Sequence, residues 1–127
     1  MKLYIQSTEN STQEILVMQM VDFLSQRGHE ILGMQIKGVP TFNFEHRLAA
    51  LNLCDWFIYE ASGGSFTEGF MTALATGKLQ KKTLFIYQVK CKSSVPEMVL
   101  GCTFPNTYCK SYQTWSDLQN ILTLLKL

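Results

Sequence analysis

Apolar and polar positions along the chain alternate between short strand-like runs and helical repeats. "KLYIQ" reads as a short strand that ends on polar residues. "STQEILVMQMVDFLSQRG" then reads as a helix, because Leu16, Met20, Phe23 and Leu24 recur at helical spacing. Ser11 with Glu14 gives that helix an S-x-x-E capping pattern, and Gly28 suits the position just past its end. "HEILGMQI" is a second strand, "GVPTFNF" a loop and "EHRLAALNLC" a short helix. "DWFIYEA" is apolar almost throughout, as strands covered on both faces of a parallel sheet are. The pattern predicts a helix from Phe66 to Thr76, stopped by Gly77, and a fourth apolar strand in "KTLFIYQV". Ser94 to Leu100 forms one or two helical turns ended by Gly101, and "NTYCKSY" is a weak fifth strand. "WSDLQNILTLLKL" closes the pattern as an amphipathic helix with Trp115, Leu118, Ile121, Leu122 and Leu125 on one face.

Strands alternating with helices predict an α/β fold, a flavodoxin/Rossmann-like three-layer sandwich around a five-stranded parallel sheet of order 2-1-3-4-5. The 127 residues fit one domain, 1–127. A chain of this length buries roughly two-thirds of its unfolded surface and needs no staples. No internal repeat or low-complexity linker interrupts it.

Composition narrows the function classes. A content of 46% hydrophobic and 17% charged residues is ordinary for a globular protein. With a net charge of +1 there is no electrostatic case for a nucleic-acid or membrane partner. Lys81, Lys82, Lys90 and Lys92 read as solvated loop lysines. Cys54, Cys91, Cys102 and Cys109 contain no C-x-x-C pair and no zinc-ligand spacing, so neither metal nor cofactor is expected. "MKLYIQSTENS" turns polar at once rather than forming a secretory apolar region, and no run reaches the ~20 residues of a membrane span. The expectation is a cytoplasmic protein with reduced thiols.

Ligands of doubly wound sheets bind beyond the carboxyl ends of the strands, at the switch point between strands one and three. Two loops converge there, "QSTEN" and "EASGGSF", both rich in small polar residues. Gly63 and Gly64 allow close backbone approach, and Ser65 to Glu68 opens a helix whose free N–H groups favour an anion. The lysine of a P-loop and the spacing of G-x-G-x-x-G are both missing. "SFTE" also has the form of a capping box, so Glu68 is either a helix cap or a reactive carboxylate placed at the cleft; the roles are compatible. His46 in "FNFEHRL" lies near the same edge, whereas His29 reads as a surface residue. No Ser–His or Cys–His pair supports a hydrolase triad. Tyr4 is expected in the core, and Phe42 and Phe44 at a partner interface or lid.

"LYIQST", "RGHEIL", "LNLCDWFIYEAS", "GGSFTEG", "ATGK" and "TLFIY" together resemble the nucleoside 2-deoxyribosyltransferase-like superfamily, which includes the deoxynucleoside 5′-monophosphate N-glycosidases. "VPEMVLG" and "FPNTYCKSYQTWSDL" resemble its final third, so the likeness runs over nearly the whole chain. The resemblance implies cleavage or transfer of the N-glycosidic bond of a nucleoside or its 5′-monophosphate, with Glu68 as nucleophile. It implies that Gly64 and Ser65 hold the 5′-hydroxyl or phosphate, that Ser7 and Thr8 lie against base or sugar, and that a homodimer forms. Glu45, His46, Glu60 and Gly63 complete the candidate binding set. An Asp usual in the family falls at Arg47, and a serine of its partner subunit falls at Pro96. Two other readings stand beside this one. A phosphoribohydrolase of the lysine-decarboxylase-like type has a "P-G-G-x-G-T-x-x-E" that "SGGSFTE" matches only in part, and a non-catalytic nucleotide-sensing module of the same fold would accommodate Arg47.

Overall fold

The computed structural model describes residues 1–7, 13–35, 44–63 and 66–127. Five strands, β1 (Lys2–Ser7), β2 (Glu30–Gln35), β3 (Trp56–Glu60), β4 (Lys82–Gln88) and β5 (Thr107–Tyr112), form one sheet of order β2-β1-β3-β4-β5. Every pairing is parallel, as the alternating pattern requires. The helices are α1 (Glu14–Gln26), α2 (Phe44–Leu53), α3 (Phe66–Ala73), α4 (Glu97–Leu100) and α5 (Trp115–Leu124).

Successive strand side chains point to opposite faces, and each face has its own core. On one face Leu3, Ile5, Ile58 and Ile86 pack against Val17, Met20 and Leu24 of α1 and Leu118 and Leu122 of α5. On the other, Tyr4, Phe57, Tyr59 and Phe85 pack against Leu51 of α2, Met71 of α3 and Val99 of α4. Both faces being covered explains why β1, β3 and β4 read as nearly continuous apolar runs.

Local chemistry sets the element boundaries. Past the end of α1, Gly28 takes φ +86°, and the N–H groups of Gly28 and His29 donate to Ser25 O (3.0 Å) and Leu24 O (3.1 Å). This closes the helix as the glycine predicted. Between β1 and β2 the register slips by one residue, so Leu3 faces Ile31 while Tyr4 faces Gly33. The Tyr4 ring occupies the space above Gly33: a Cβ there would sit 2.5 Å from Tyr4 Cε2. The Tyr4 ring also stacks on Phe57 at 5.7 Å. The Asp55 carboxylate accepts the Lys2 N–H at 2.7 Å and so fixes the start of β1.

Two details differ from the sequence expectation. Helix α3 does not stop at Gly77; it widens into a π-helical turn, Leu74–Lys78, closed by Leu79 N–H donating to Leu74 O at 2.9 Å. The Thr76 hydroxyl donates back to Thr72 O (2.8 Å) and competes with the regular ladder there. Lys81 is not a solvated loop lysine, since its ammonium donates to Asn52 O (2.6 Å) and Cys54 O (2.9 Å), satisfying carbonyls at the end of α2. The Ser11 capping pattern and the loop holding Phe42 lie outside the described residues.

Candidate active site

β1 and β3 run side by side to their carboxyl ends, with Gln6 opposite Tyr59 and Ser7 opposite Glu60. Alternation sends Gln6 and Tyr59 to the face covered by α2 and α3, and Ser7 and Glu60 to the face covered by α1 and α5. The two candidate carboxyl groups are therefore separated by the sheet.

Glu68 lies in the first turn of α3, fully buried. Neither of its carboxyl oxygens receives a hydrogen bond among the described residues. Its backbone carbonyl accepts the Gln6 side-chain N–H at 3.3 Å, which joins the end of β1 to the opening of α3. Gln6 is also fully buried, and its Oε1 has no donor among the described residues. The Tyr59 hydroxyl donates to Gly63 O at 3.2 Å and holds the loop that leads into α3. Burial pushes the Tyr59 phenol well up, and the Glu68 and Glu60 carboxyl groups push it further, so it stays a donor at neutral pH.

Glu60 belongs to a different arrangement. It is fully buried, and its Oε1 accepts hydrogen bonds from the Ser62 hydroxyl and from Tyr112 at 3.2 Å. The Ser62 oxygen in turn accepts the Gln88 N–H at 2.9 Å. This network ties β3, β4 and β5 together above the α1/α5 core. Burial and the adjacent Glu60 push the Tyr112 phenol strongly up.

The remaining candidates sit at varied distances from this junction. Ser7 is buried at the end of β1. Glu45 and His46 are exposed in the first turn of α2, and Arg47 is half-buried one residue on. Burial raises the Tyr4 phenol, and the Arg47 guanidinium partly opposes that rise. Phe44 contacts Phe70 of α3 at 6.2 Å between ring centroids, and both rings remain about half exposed. Thr8, Gly64 and Ser65 lie outside the described residues, and with Ser65 the capping half of the Glu68 question. His29 stays at the surface, its Nδ1 3.1 Å from the terminal amine.

A groove of about 500 Å³ lined by Met1, Lys2, Gly28, Glu30, Leu53 and Asp55 is at the amino ends of the strands. That is the wrong edge for a ligand of a doubly wound sheet. Among the described residues no group of three or more His, Cys, Asp or Glu side chains is placed to hold a metal ion. Burial raises the Cys54 thiol to about 11, leaving it a packing group.

The sequence located Glu68 but not Gln6 or Tyr59. Their signal was the alternation itself: in "LYIQS" the polar Gln6 falls on the same face as the core residue Tyr4, in a strand otherwise buried.

The architecture is that of an α/β protein with a five-stranded parallel sheet, and beside its switch point lies a buried carboxyl group with no hydrogen-bond partner among the described residues. Neither a protein-family model nor a curated protein sequence matches the chain. Among solved structures it is similar to the CMP N-glycosidase BcmB of Clostridium botulinum, with a TM-score of 0.73 and 15% identity, over 98% of this chain and 99% of that one.

Proposed function

We propose that the protein cleaves or transfers the N-glycosidic bond of a nucleoside or its 5′-monophosphate, with Glu68 as the nucleophile. The observation that carries this reading is the Glu68 carboxyl group, fully buried with neither oxygen hydrogen-bonded among the described residues. Burying such a group without a partner costs several kcal/mol, roughly 2–7 even for a neutral polar group. A fold keeps a cost of that kind where the group meets a ligand or a reacting atom. The similarity of fold to a CMP N-glycosidase supports the same reaction class.

In the reaction, a Glu68 carboxylate oxygen attacks C1′ of the sugar from the side opposite the base. The C1′–N bond breaks, and the base leaves with its electron pair and takes up a proton. The product is a glycosyl ester on Glu68. Water, or a second base, then attacks C1′, releases the carboxylate and gives net retention. The opening N–H groups of α3 and its dipole suit a 5′-phosphate. Tyr59 keeps Gly63 in place beside that helix start.

Incubation with ribo- and deoxyribonucleosides and their 5′-monophosphates, with chromatography for free base, tests the reading. Time-dependent release of base from at least one substrate is expected. Binding without release across the panel would favour the sensing module, to which Arg47 at the usual Asp position lends support.

A further inference from the structure

The Glu68 carboxyl group is placed by its backbone. Neither of its oxygens receives a hydrogen bond among the described residues, so none of them grips the carboxyl group itself through a donor. Its location therefore depends on where the first turn of α3 sits. Gln6 and Tyr59, register partners on β1 and β3, hold that turn and the loop before it. The Tyr59 hydroxyl donates to Gly63 O at 3.2 Å, and the Gln6 side-chain amide donates to Glu68 O at 3.3 Å. A flipped amide would set two acceptors against each other, so the N–H end of Gln6 faces Glu68. One pair of neighbouring, buried side chains thus fixes the chain at Gly63 and at Glu68.

We propose that Gln6 is a positioning residue for Glu68: its amide, anchored in β1, fixes the Glu68 backbone and through it the carboxyl group that attacks C1′. The inference rests on the assignment of Glu68 as nucleophile. Two features argue that packing is not the reason for a glutamine at this position. Gln6 Oε1 is buried with no donor among the described residues, a cost that a methionine of the same length would avoid. Glu68 O also lies inside α3, where the N–H four residues further on is its ordinary donor, so the carbonyl needs no second one. What the Gln6 bond adds is a fixed separation between the sheet and the start of the helix. β1 lies inside the sheet, paired on both sides by β2 and β3, and so gives a rigid reference for that separation. Attack on C1′ requires the oxygen in line with the departing base, and a misplacement on the order of 1 Å costs about a hundredfold in rate.

The test is the steady-state rate of base release by the full chain, on whichever nucleotide the wild type cleaves. Gln6→Met keeps the length and removes the donor, so kcat should fall roughly tenfold to a hundredfold while KM stays unchanged. Gln6→Asn withdraws the amide by one carbon and should show the same split, which serves if Gln6→Met does not fold. Thr114→Ala removes the cap of α5, on the opposite face of the sheet, and controls for lost stability; its kcat should match wild type. Wild-type kcat in the Gln6 variants, a raised KM at unchanged kcat, an equal fall of kcat in Thr114→Ala, or failure of both Gln6 variants to fold would each overturn the inference and leave Glu68 as the nucleophile. Absence of base release by the wild type would instead remove the N-glycosidase reading, and the positioning role with it.

Discussion

At Ser62 one hydroxyl both donates to Glu60 Oε1 and accepts the Gln88 N–H, so the loop leaving β3 is pinned to β4 by a single oxygen. Ser62→Ala leaves both partners short of a hydrogen bond in a buried setting and should cost roughly 1–3 kcal/mol, read as a lower urea midpoint with an unchanged slope. An unchanged midpoint would mean that water replaces the hydroxyl. This network also separates the two glutamates that the sequence brought together. Glu60 and Glu68 are eight positions apart and both near the carboxyl edge, but alternation along β3 sends Glu60 under Tyr112 on the far face of the sheet. Spacing alone could place both at the edge; only the strand's face parity, with Tyr112 arriving from β5, shows Glu60 in a hydrogen-bonded network on the α1/α5 face.

The elements themselves were legible because their causes are local. Apolar runs gave the strands, helical periodicity gave α1 and α5, and Gly28 gave the end of α1. The slip in the β1–β2 register was not legible, because it depends on Tyr4 and Gly33 meeting across strands. Gly33→Ala forces a Cβ to within 2.5 Å of the Tyr4 ring and should destabilise the protein by about 1–3 kcal/mol, measured by thermal or urea unfolding. At α5, Thr114 accepts the Asp117 N–H at 3.2 Å while Asp117 accepts the Gln113 and Thr114 N–H groups, a complete capping box of the same S/T-x-x-acid form as "SFTE". Thr114→Ala should cost about 0.5–2 kcal/mol. Those backbone donors hold the Asp117 carboxyl below its ordinary range. A depressed carboxylate adds stability above its unfolded value and loses it as pH falls through the folded one, so the contribution is present at neutral pH and disappears only in acid. A pH series of melting curves should show Asp117→Asn and wild type converging at the acid end; a gap that persists there would reject this assignment.

At the scale of the whole molecule, the sheet order and the two covered faces follow from the alternation of elements, and none of the described helices is long and apolar enough to cross a membrane. We propose a homodimer in which the Phe44 and Phe70 rings, half-exposed beside the opening of α3, meet a second copy. Light scattering at micromolar concentration should return twice the chain mass, and a clean monomer would confine the site to one chain.

The rate of base release by Glu68→Gln, measured against wild type on whichever nucleotide the wild type cleaves, tests the proposed nucleophile most directly. The substitution is nearly isosteric and replaces a buried carboxyl group with a neutral amide, so the variant should melt no lower than wild type. Loss of the covalent nucleophile should slow release by at least about a thousandfold. A variant that folds normally and retains near-wild-type turnover would contradict the assignment of Glu68 and move the chemistry elsewhere.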